Sequence, residues 1–498
     1  LDAAFYSEYQ SRNTKEHFFG MVNYKETFMD GDIDLRASIG GEVVSNEYNR
    51  LSANTNGDLS IPGFYNLAGS TDPISANSSL TKSKTRGAFI KTSLGYKDFA
   101  YLDASYRLDW SSTAKPTDNR VNTFGVSGSV LLHEILPQND VISFAKVRAG
   151  YASAPYFPGP YNITSTYDAG DLYQGNGTLS VPNTQANRDL VGGTRGEFEI
   201  GTEIRFLNDK FGMDFTYFNR TDEDLPIGVS LDGSTGYTGI TLNSGKTTSN
   251  GIEIALNASV IQKQDFSWNV GVNIGTLNKT VDAIYPGVES YNISTYTSNM
   301  KLQARVGEEY GLFYGTGYAN HTDGSVIFTS SDKFARERNK KIGSLLPDFT
   351  GGLSSSMRYK NFDLYLGFDG QVGGLYYSRT ERYMDHSGLA DYTAGLNDKG
   401  NPKRDPVSQG GGVHITGVLQ SGTDANGTPI SDGTVVDKYI DAVDYYSLGN
   451  LGSIYEKNTH DASYFKLRTV KLSYNFDSGF TDRFKIDNAQ LSLIANNV

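Results

Sequence analysis

The sequence FAYLDASYRLDW, residues Phe99–Trp110, alternates strictly between apolar and polar side chains. One phase carries Ala100, Leu102, Ala104, Tyr106, Leu108 and Trp110, and the other carries Asp103, Ser105, Arg107 and Asp109. Alternation with a period of two is typical of a β-strand that has one apolar face. A register shift of one residue would move Arg107 into the apolar phase, which costs ~2–4 kcal/mol at the middle of a bilayer. The stretch therefore predicts a strand with a firmly fixed register.

The same alternation recurs in other parts of the chain, notably in Gly196–Phe206, Phe266–Ile274 and Val470–Phe476. Such runs reach about ten residues, whereas a usual strand has about five or six, and they match a tilted strand that crosses a bilayer. Counting the alternating runs predicts about fifteen strands. We expect the apolar phase to face lipid, a set that comprises Ala100, Leu102, Leu108, Phe198, Ile200, Ile204, Val270 and Val272.

The connections between these runs alternate between short and long. Short connections are predicted at Met29–Asp32, Lys97–Asp98, His133–Asp140, Leu207–Lys210, Gln262–Asp265, Lys360–Asn361 and Asp477–Lys485. Long ones are predicted at Leu51–Arg86, Ser111–Arg120, Ser153–Arg195, Thr221–Asn250, Leu277–Asp348 and Val372–Asp461. Outer-membrane barrels have short periplasmic turns and long extracellular loops, an asymmetry that a soluble β-sandwich does not need. The pattern predicts an all-β, antiparallel, transmembrane outer-membrane β-barrel.

Composition excludes several classes of function. The chain of 498 residues has no cysteine, which rules out a disulfide framework, a thiolate metal site and a cysteine nucleophile. The net charge of −12 gives no basic patch, so we expect no nucleic-acid partner. The six histidines are scattered, and the spacing Asp30, Asp32, Asp34 would need glycine where Leu35 stands to form a calcium loop. We therefore predict no metal site, no cofactor and no catalytic residue.

Charged residues of the polar phase are expected to line the lumen of the barrel, and the set comprises Arg107, Asp109, Arg148, Glu199, Glu203 and Arg205. Two of these carboxylates could in principle form a glycosidase pair. Basic residues share the same faces, which favours ion-paired lumen walls over an acid/base pair. The chain is therefore predicted not to be an enzyme.

Aromatic residues concentrate in two predicted loops. Tyrosine offers flat apolar area together with a hydroxyl group, which suits sugar or peptide ligands, although loop packing or a membrane-interface girdle could explain the same residues. The candidate substrate-binding residues are Tyr151, Tyr156, Phe157, Tyr161, Tyr167, Tyr173, Tyr439, Tyr445 and Tyr446.

Several stretches resemble the SusC/RagA family of TonB-dependent transporters. The most specific is Ile342–Gly374, IGSLLPDFTGGLSSSMRYKNFDLYLGFDGQVGG, and the next is Asn243–Glu253, NSGKTTSNGIE. Five shorter stretches fit in order and spacing, so the resemblance extends over nearly the whole chain. They are Leu108–Thr113, Phe144–Tyr151, Asn269–Val281, Val306–Gly315 and Asp461–Phe476.

The resemblance implies a barrel of about twenty-two strands when complete. Residues 1–498 would then be barrel alone, incomplete at both ends, with the family's plug domain outside these residues. It implies TonB-dependent import of bulky nutrients, glycans or oligosaccharides or peptides, across the bacterial outer membrane. The implied partners are outer-membrane lipid, a SusD-like surface lipoprotein, and TonB–ExbB–ExbD acting through the plug. The alternatives are a secreted all-β polysaccharide-active enzyme, or a passive porin or adhesin on the same barrel.

Overall fold

The computed structural model describes residues 5–137 and 141–498, and the chain divides into two compact units. Unit 1 comprises Leu1–Ile204 and Phe218–Thr248, and unit 2 comprises Arg205–Tyr217 and Ser249–Val498. Within the described residues, no helix combines the length and the apolar character needed to cross a membrane.

The strands of unit 1 include three that are unusually long. They are β1 (Ser7–Phe28), β2 (Ile33–Leu59), β3 (Ser70–Tyr96), β4 (Ala100–Ser111), β5 (Arg120–Leu131), β6 (Ile142–Tyr156), β7 (Asp168–Tyr173), β8 (Asn176–Ser180), β9 (Thr184–Gln185) and most of β10 (Gly193–Phe206). A single helical turn, α1 (Leu132–Ile135), lies between β5 and β6. The next two strands, β11 (Phe211–Ser230) and β12 (Gly239–Gln262), contribute residues to both units.

Strands β1 to β6 form an antiparallel meander in chain order. The predicted short connections are confirmed where the structure describes them. Lys97 and Asp98 both have positive φ, 48° and 56°, and Phe99 N–H donates to the Tyr96 carbonyl. This is the type I′ geometry, whose twist matches that of the flanking strands. Residues 138–140 of the predicted connection His133–Asp140 lie outside the described residues.

The predicted alternation is confirmed in unit 1. Arg107 lies opposite Phe89 on β3 and Thr123 on β5, whereas Leu108 lies opposite Ala88 and Asn122. We name the face that bears Arg107 the polar face and the face that bears Leu108 the apolar face. Leu102, Phe198 and Ile200 are exposed, as expected of side chains whose surroundings in a membrane are lipid.

The strands of unit 2 fall into a long-stranded sheet and a set of short strands. They are β13 (Phe266–Gly275), β14 (Asn278–Ala283), β15 (Ser290–Thr297), β16 (Met300–Arg305), β17 (Leu312–Tyr318), β18 (Ile327–Phe328), β19 (Arg336–Ser344), β20 (Pro347–Tyr359), β21 (Phe362–Gly373), β22 (Leu375–Tyr377), β23 (Val413–Thr423), β24 (Pro429–Ile440), β25 (Thr459–Asp461), β26 (Tyr464–Asn475) and β27 (Gln490–Asn496). Three helices accompany them, α2 (Arg379–Ser387), α3 (Ala442–Tyr445) and α4 (Ser478–Thr481).

The long-stranded sheet of unit 2 runs β12–β13–β20–β21–β26–β27, and its neighbours pair antiparallel. Val270 and Val272 lie opposite Ser355 and Leu353 on the apolar face, while Asn269 lies opposite Ser356 on the polar face. Because successive strands are antiparallel, the connections of this sheet alternate between its two ends. Both long connections, after β13 and after β21, therefore leave from the same end, as predicted.

The predicted loops contain more structure than expected. Leu51–Arg86 is largely a continuation of the β2–β3 hairpin, and Thr221–Asn250 is largely the ends of β11 and β12. The segments Leu277–Asp348 and Val372–Asp461 carry β14–β19 and β22–β25, which we name the cap of unit 2. The main sheet has sixteen strands among the described residues, in agreement with the predicted count of about fifteen, and the shorter strands outside it form smaller sheets.

The cap has its own hydrophobic core, which explains why these segments fold. Its fully buried side chains come from both predicted loops, and they are Met300, Leu302, Phe313, Ile327, Ile415, Leu451 and Ile454. Burying one such Leu, Ile, Phe or Met side chain contributes roughly 1.5–3 kcal/mol.

Candidate substrate-contacting surfaces

An ion-paired cluster lies on the polar face of unit 1, where strand alternation brings charged side chains of β2 and β4 together. Arg107 Nη2 lies 2.6 Å from Glu42 Oε1 and 2.6 Å from Asp109 Oδ1. Asp109 is buried in the cluster. The predicted lumen residues Arg107 and Asp109 are thus partners in an ionic wall, which holds their side chains in fixed positions.

A groove of about 660 Å³ follows the polar face of unit 1. Its floor consists of small residues of β4, β5 and β6, mainly serine, glycine and alanine, so the charged side chains form the walls. Those charged residues are Arg36, Lys91, Asp103, Lys146, Arg148, Glu197 and Glu199. The predicted residues Arg148 and Glu199 line the same groove. Both signs of charge are available to a ligand that lies along it.

Glu203 and Arg205 continue the polar phase of β10, where they alternate with Ile204 and Phe206. Assignment of the polar face to the lumen, and of the apolar face to lipid, stays a prediction. In unit 2 the strand face that bears Asn269 has a groove of about 340 Å³. Its lining includes Asn269, Arg358, Asp363 and Lys471.

Two members of the predicted aromatic loop are not exposed loop residues. Tyr151 belongs to β6 and lies opposite Val126 on the apolar face, with its ring 5.2 Å from that of Phe124. Phe157 is half-buried, because its ring packs beside Gly192 and Val121. The loop begins only after Tyr156, which ends β6.

Tyr161 has a structural contact that the sequence did not reveal. Its hydroxyl group accepts a hydrogen bond from Lys82 N–H at 3.0 Å and donates to the Leu80 carbonyl at 3.4 Å. These backbone groups lie on β3 beyond the end of its pairing with β4. The hydroxyl group therefore supplies hydrogen bonds to backbone groups at an edge of β3 that β4 does not cover.

Three tyrosines remain available as contact residues of unit 1. Tyr156, Tyr167 and Tyr173 are 45%, 70% and 68% exposed. The end of their loop is anchored, since Leu190 is fully buried and Asn243 hydrogen-bonds both N–H and C=O of Val191. A fixed base with exposed rings is an arrangement that suits stacking on a passing ligand.

In the cap, Tyr439 lies in a cluster of charged groups on the β23–β24 hairpin. Its ring stacks on His414 at 4.6 Å with an interplanar angle of 9°, and Lys399 Nζ lies 3.7 Å from the ring centroid. His414 Nδ1 and Nε2 each lie 2.6 Å from a carboxylate, of Asp398 and Asp437 respectively.

These contacts shift the pKa values of three side chains in the cluster, His414, Asp398 and Tyr439. The hydrogen bond to Asp437, joined by that to Asp398, outweighs burial and raises the pKa of His414. The hydrogen bond from the Tyr439 hydroxyl lowers the pKa of Asp398, and the same bond raises the pKa of Tyr439 to about 12. Tyr439 is thus engaged by its neighbours within the cap.

The candidate substrate-binding residues Tyr445 and Tyr446 lie in or against the cap core, and a role in ligand contact stays a prediction. Tyr446 is buried in the cap core, and Tyr445 packs against that core with its ring 5.6 Å from Phe334. Burial raises the pKa of both hydroxyl groups. Their aromatic side chains stabilise the cap, because they fill the space between β23, α3 and the segment around Leu451.

An ionic cluster that sequence patterns did not indicate fixes α2 to the segment before β25. Lys457 Nζ lies 2.5 Å from Asp385 Oδ2 and 2.9 Å from Glu381 Oε1, and His460 also contacts Glu381. Burial opposes the charge on Lys457, but the two carboxylates outweigh it and raise the pKa of this ammonium group. Glu381 behaves conversely: burial would raise its pKa, but Lys457 and His460 lower it.

Sequence comparison identifies relatives among curated outer-membrane receptors, although no family model matches the chain. It is 22% identical over 467 residues to TonB-dependent receptor P3 of Formosa agariphila, covering 87% of this chain and 43% of the relative. It is 26% identical over 315 residues to TonB-dependent receptor SusC of Bacteroides thetaiotaomicron, covering 55% of this chain and 30% of that receptor. The chain thus spans less than half the length of these relatives.

Comparison with solved structures gives the same answer for the fold. The RagAB peptide transporter matches with a TM-score of 0.73 at 17% identity, covering 99% of this chain and 52% of the matched chain. The predicted fold class, an antiparallel outer-membrane β-barrel, is confirmed by this likeness, and so is the bacterial outer membrane as its location. The relatives are named as receptors and transporters, not as enzymes. Together these likenesses support the resemblance to the SusC/RagA family of TonB-dependent transporters.

Proposed function

We propose that this chain forms the barrel wall of a TonB-dependent importer that carries bulky nutrients, glycans or peptides, across the bacterial outer membrane. The observation that carries the proposal is the match over 99% of the chain to the RagAB peptide transporter. The similarity to the receptor named SusC supports the same class of activity.

The polar face is proposed as the wall of the passage. Its charged side chains are held in ion pairs such as Arg107–Glu42, so the wall keeps its shape without a ligand. The groove that contains Arg148 and Glu199 offers both signs of charge and many hydroxyl groups to a polar solute. The chain changes no covalent bond of the solute, and the energy comes from TonB–ExbB–ExbD acting through a plug outside these residues.

The exposed aromatic loop of unit 1 and the cap of unit 2 are proposed to meet the solute or a SusD-like surface lipoprotein. Loops and caps carry binding while the strands position them. In unit 1 the contact residues are Tyr156, Tyr167 and Tyr173, whose rings are free to stack. In unit 2 the cap presents exposed apolar side chains, among them Leu389 and Leu396.

Deletion of the gene in its own bacterium tests the proposal. We expect growth on an oligosaccharide or peptide mixture to fall, and the full-length gene to restore it only in a strain that has TonB. Restoration without TonB would indicate a passive porin instead. Unchanged uptake of every nutrient after deletion would contradict import as the function.

Substitution of the exposed tyrosines tests the contact surface. Replacing Tyr156, Tyr167 and Tyr173 by alanine in the full-length protein is expected to reduce uptake or lipoprotein co-purification. The matched control is Tyr359→Ala, which removes an equally exposed ring next to the short turn at Lys360. Equal uptake by both variants, at equal surface expression, would show that the loop does not contact the solute.

A further inference from the structure

Strands β1, β2 and β3 continue well beyond the end of β4. The pairing of β3 with β4 ends at Thr85 and Ser111, whereas β2 and β3 remain paired to Asn54 and Ser75. β1 follows β2 over the same distance, to Ser7. The extension of about ten residues corresponds to roughly 30 Å. We name this three-stranded extension, residues 7–16, 45–54 and 75–84, the blade.

The two faces of the blade differ in charge. The face that continues the polar face of unit 1 carries amide and aromatic groups, together with serines, threonines, Lys15 and Arg50. Those amide and aromatic residues are Tyr9, Asn13, Asn46, Tyr48, Asn54 and Asn77. The opposite face carries Glu8, Arg12, Glu16, Glu47, Lys82 and Lys84. Every carboxylate of the blade is thus on the opposite face.

This asymmetry is not explained by solubility. Residues of both faces are exposed, and charged residues of either sign would keep either face soluble. The Tyr9 ring is 68% exposed, and the guanidinium of Arg50 lies 5.3 Å from its centroid. This cation–π contact orients the ring and gives the guanidinium a partner. The hydroxyl group of Tyr161 closes the open edge of β3 and so stiffens the blade.

The chemistry of the face suits a neutral sugar. Side-chain amides and hydroxyl groups offer both donors and acceptors, as the hydroxyl groups of a sugar require. Tyrosine rings supply flat apolar area on which a pyranose ring can stack. The absence of carboxylates means that a neutral ligand displaces water without desolvating an unpaired negative charge.

We propose that this face of the blade is a binding surface for a neutral oligosaccharide, and the proposal rests on the importer function proposed above. A chain of sugar rings lying along β2 would meet Asn46, Tyr48, Arg50 and Asn54 in turn. The blade would then hold the solute before it enters the passage lined by the groove.

Binding to the purified full-length protein tests this assignment, with maltoheptaose, xylohexaose and mannohexaose as neutral probes and oligogalacturonate and a neutral heptapeptide as competitors of other classes. We expect at least one neutral oligosaccharide to bind. Tyr48→Ala is expected to weaken that binding about tenfold. Leu80→Ala, on the opposite face, is the control and should leave it unchanged.

A second pair of variants separates the face from the fold of the blade. Ser79→Asp places a carboxylate on the proposed face, and Ser78→Asp places one on the opposite face of the same strand. Only the first should weaken binding. The assignment would be overturned if Ser79→Asp and Ser78→Asp weakened binding equally. It would also be overturned if only the peptide or oligogalacturonate bound, or if no neutral probe bound. TonB-dependent uptake that survives in the strain carrying Tyr48→Ala would leave the importer function standing.

Discussion

Removal of the Asp385 carboxylate should release α2 from the cap. Asp385 is 1% exposed, and its Oδ2 lies 2.5 Å from Lys457 Nζ and 3.3 Å from Asn458 Nδ2. The hydroxyl of Tyr392 contacts its other oxygen. In Asp385→Ala these three donors lose the buried carboxylate as their acceptor.

These contacts set the loss of stabilising free energy expected for Asp385→Ala. Breaking a buried ion pair by removing one partner costs about 3–5 kcal/mol. Lys457 keeps Glu381 at 2.9 Å, so the lower end applies, about 3 kcal/mol. Asp385→Asn keeps a polar group in place and should cost less than Asp385→Ala.

Hydrogen exchange of the α2 amides, followed by mass spectrometry on the protein in detergent, measures the effect. A loss of 3 kcal/mol in the local opening free energy corresponds to exchange roughly 150-fold faster. The control is Lys438→Ala, which removes an exposed ion pair with Asp332 at 2.5 Å in the same unit and should cost less than about 1 kcal/mol. Exchange of α2 within threefold of the wild type in Asp385→Ala would refute the anchoring role.

Three further predictions concern other parts of the molecule. Because the folded-state pKa of His414 is raised, its bonds to Asp398 and Asp437 are fully present below about pH 6.5 and lost as the pH rises through the raised value. Limited proteolysis at the 397–399 turn should therefore increase with pH in the wild type and be independent of pH in His414→Gln. Phe313→Ala should destabilise the cap by about 3–5 kcal/mol in urea unfolding, whereas Leu389→Ala, at an exposed position, should change stability by less than about 0.5 kcal/mol. Leu102→Arg should cost about 2–4 kcal/mol in lipid vesicles, but Asp103→Arg, one residue along, should cost far less.

Period-two patterns allowed the strands and faces to be predicted, because each residue of a spanning strand has only two possible environments. Leu102 and Arg107 are therefore placed by sequence alone. The short turns could be predicted for the same reason, since each must fall between two runs of fixed length.

The cap could not be predicted in this way. Strand β17 is buried on both faces from Leu312 to Gly317, so it shows no alternation, and β18 has only two residues. The ion pair of Lys457 with Asp385 joins residues 72 apart, and no local pattern reports such a contact. An apolar run such as LFYGTGY, together with the turns around it, was the available signal for a packed element.

Aromatic content was a poor guide to the exposure of a side chain. Tyr167 and Tyr446 are the same residue type in predicted loops, yet one is exposed and the other lies in a hydrophobic core. The difference depends on which segments fold together in three dimensions. Tyr161 illustrates a third outcome, since its hydroxyl group serves a strand 79 residues away.

Cysteine labelling along β4 measures whether the polar face is a water-lined wall within the membrane. The chain has no cysteine of its own, so single cysteines can be introduced at each position from residue 102 to residue 107 of the full-length protein in native outer membranes. A charged, water-soluble maleimide is expected to label Asp103→Cys, Ser105→Cys and Arg107→Cys, and to leave Leu102→Cys, Ala104→Cys and Tyr106→Cys unmodified. Labelling without a period of two, or labelling of the second set alone, would show that the polar face does not line water.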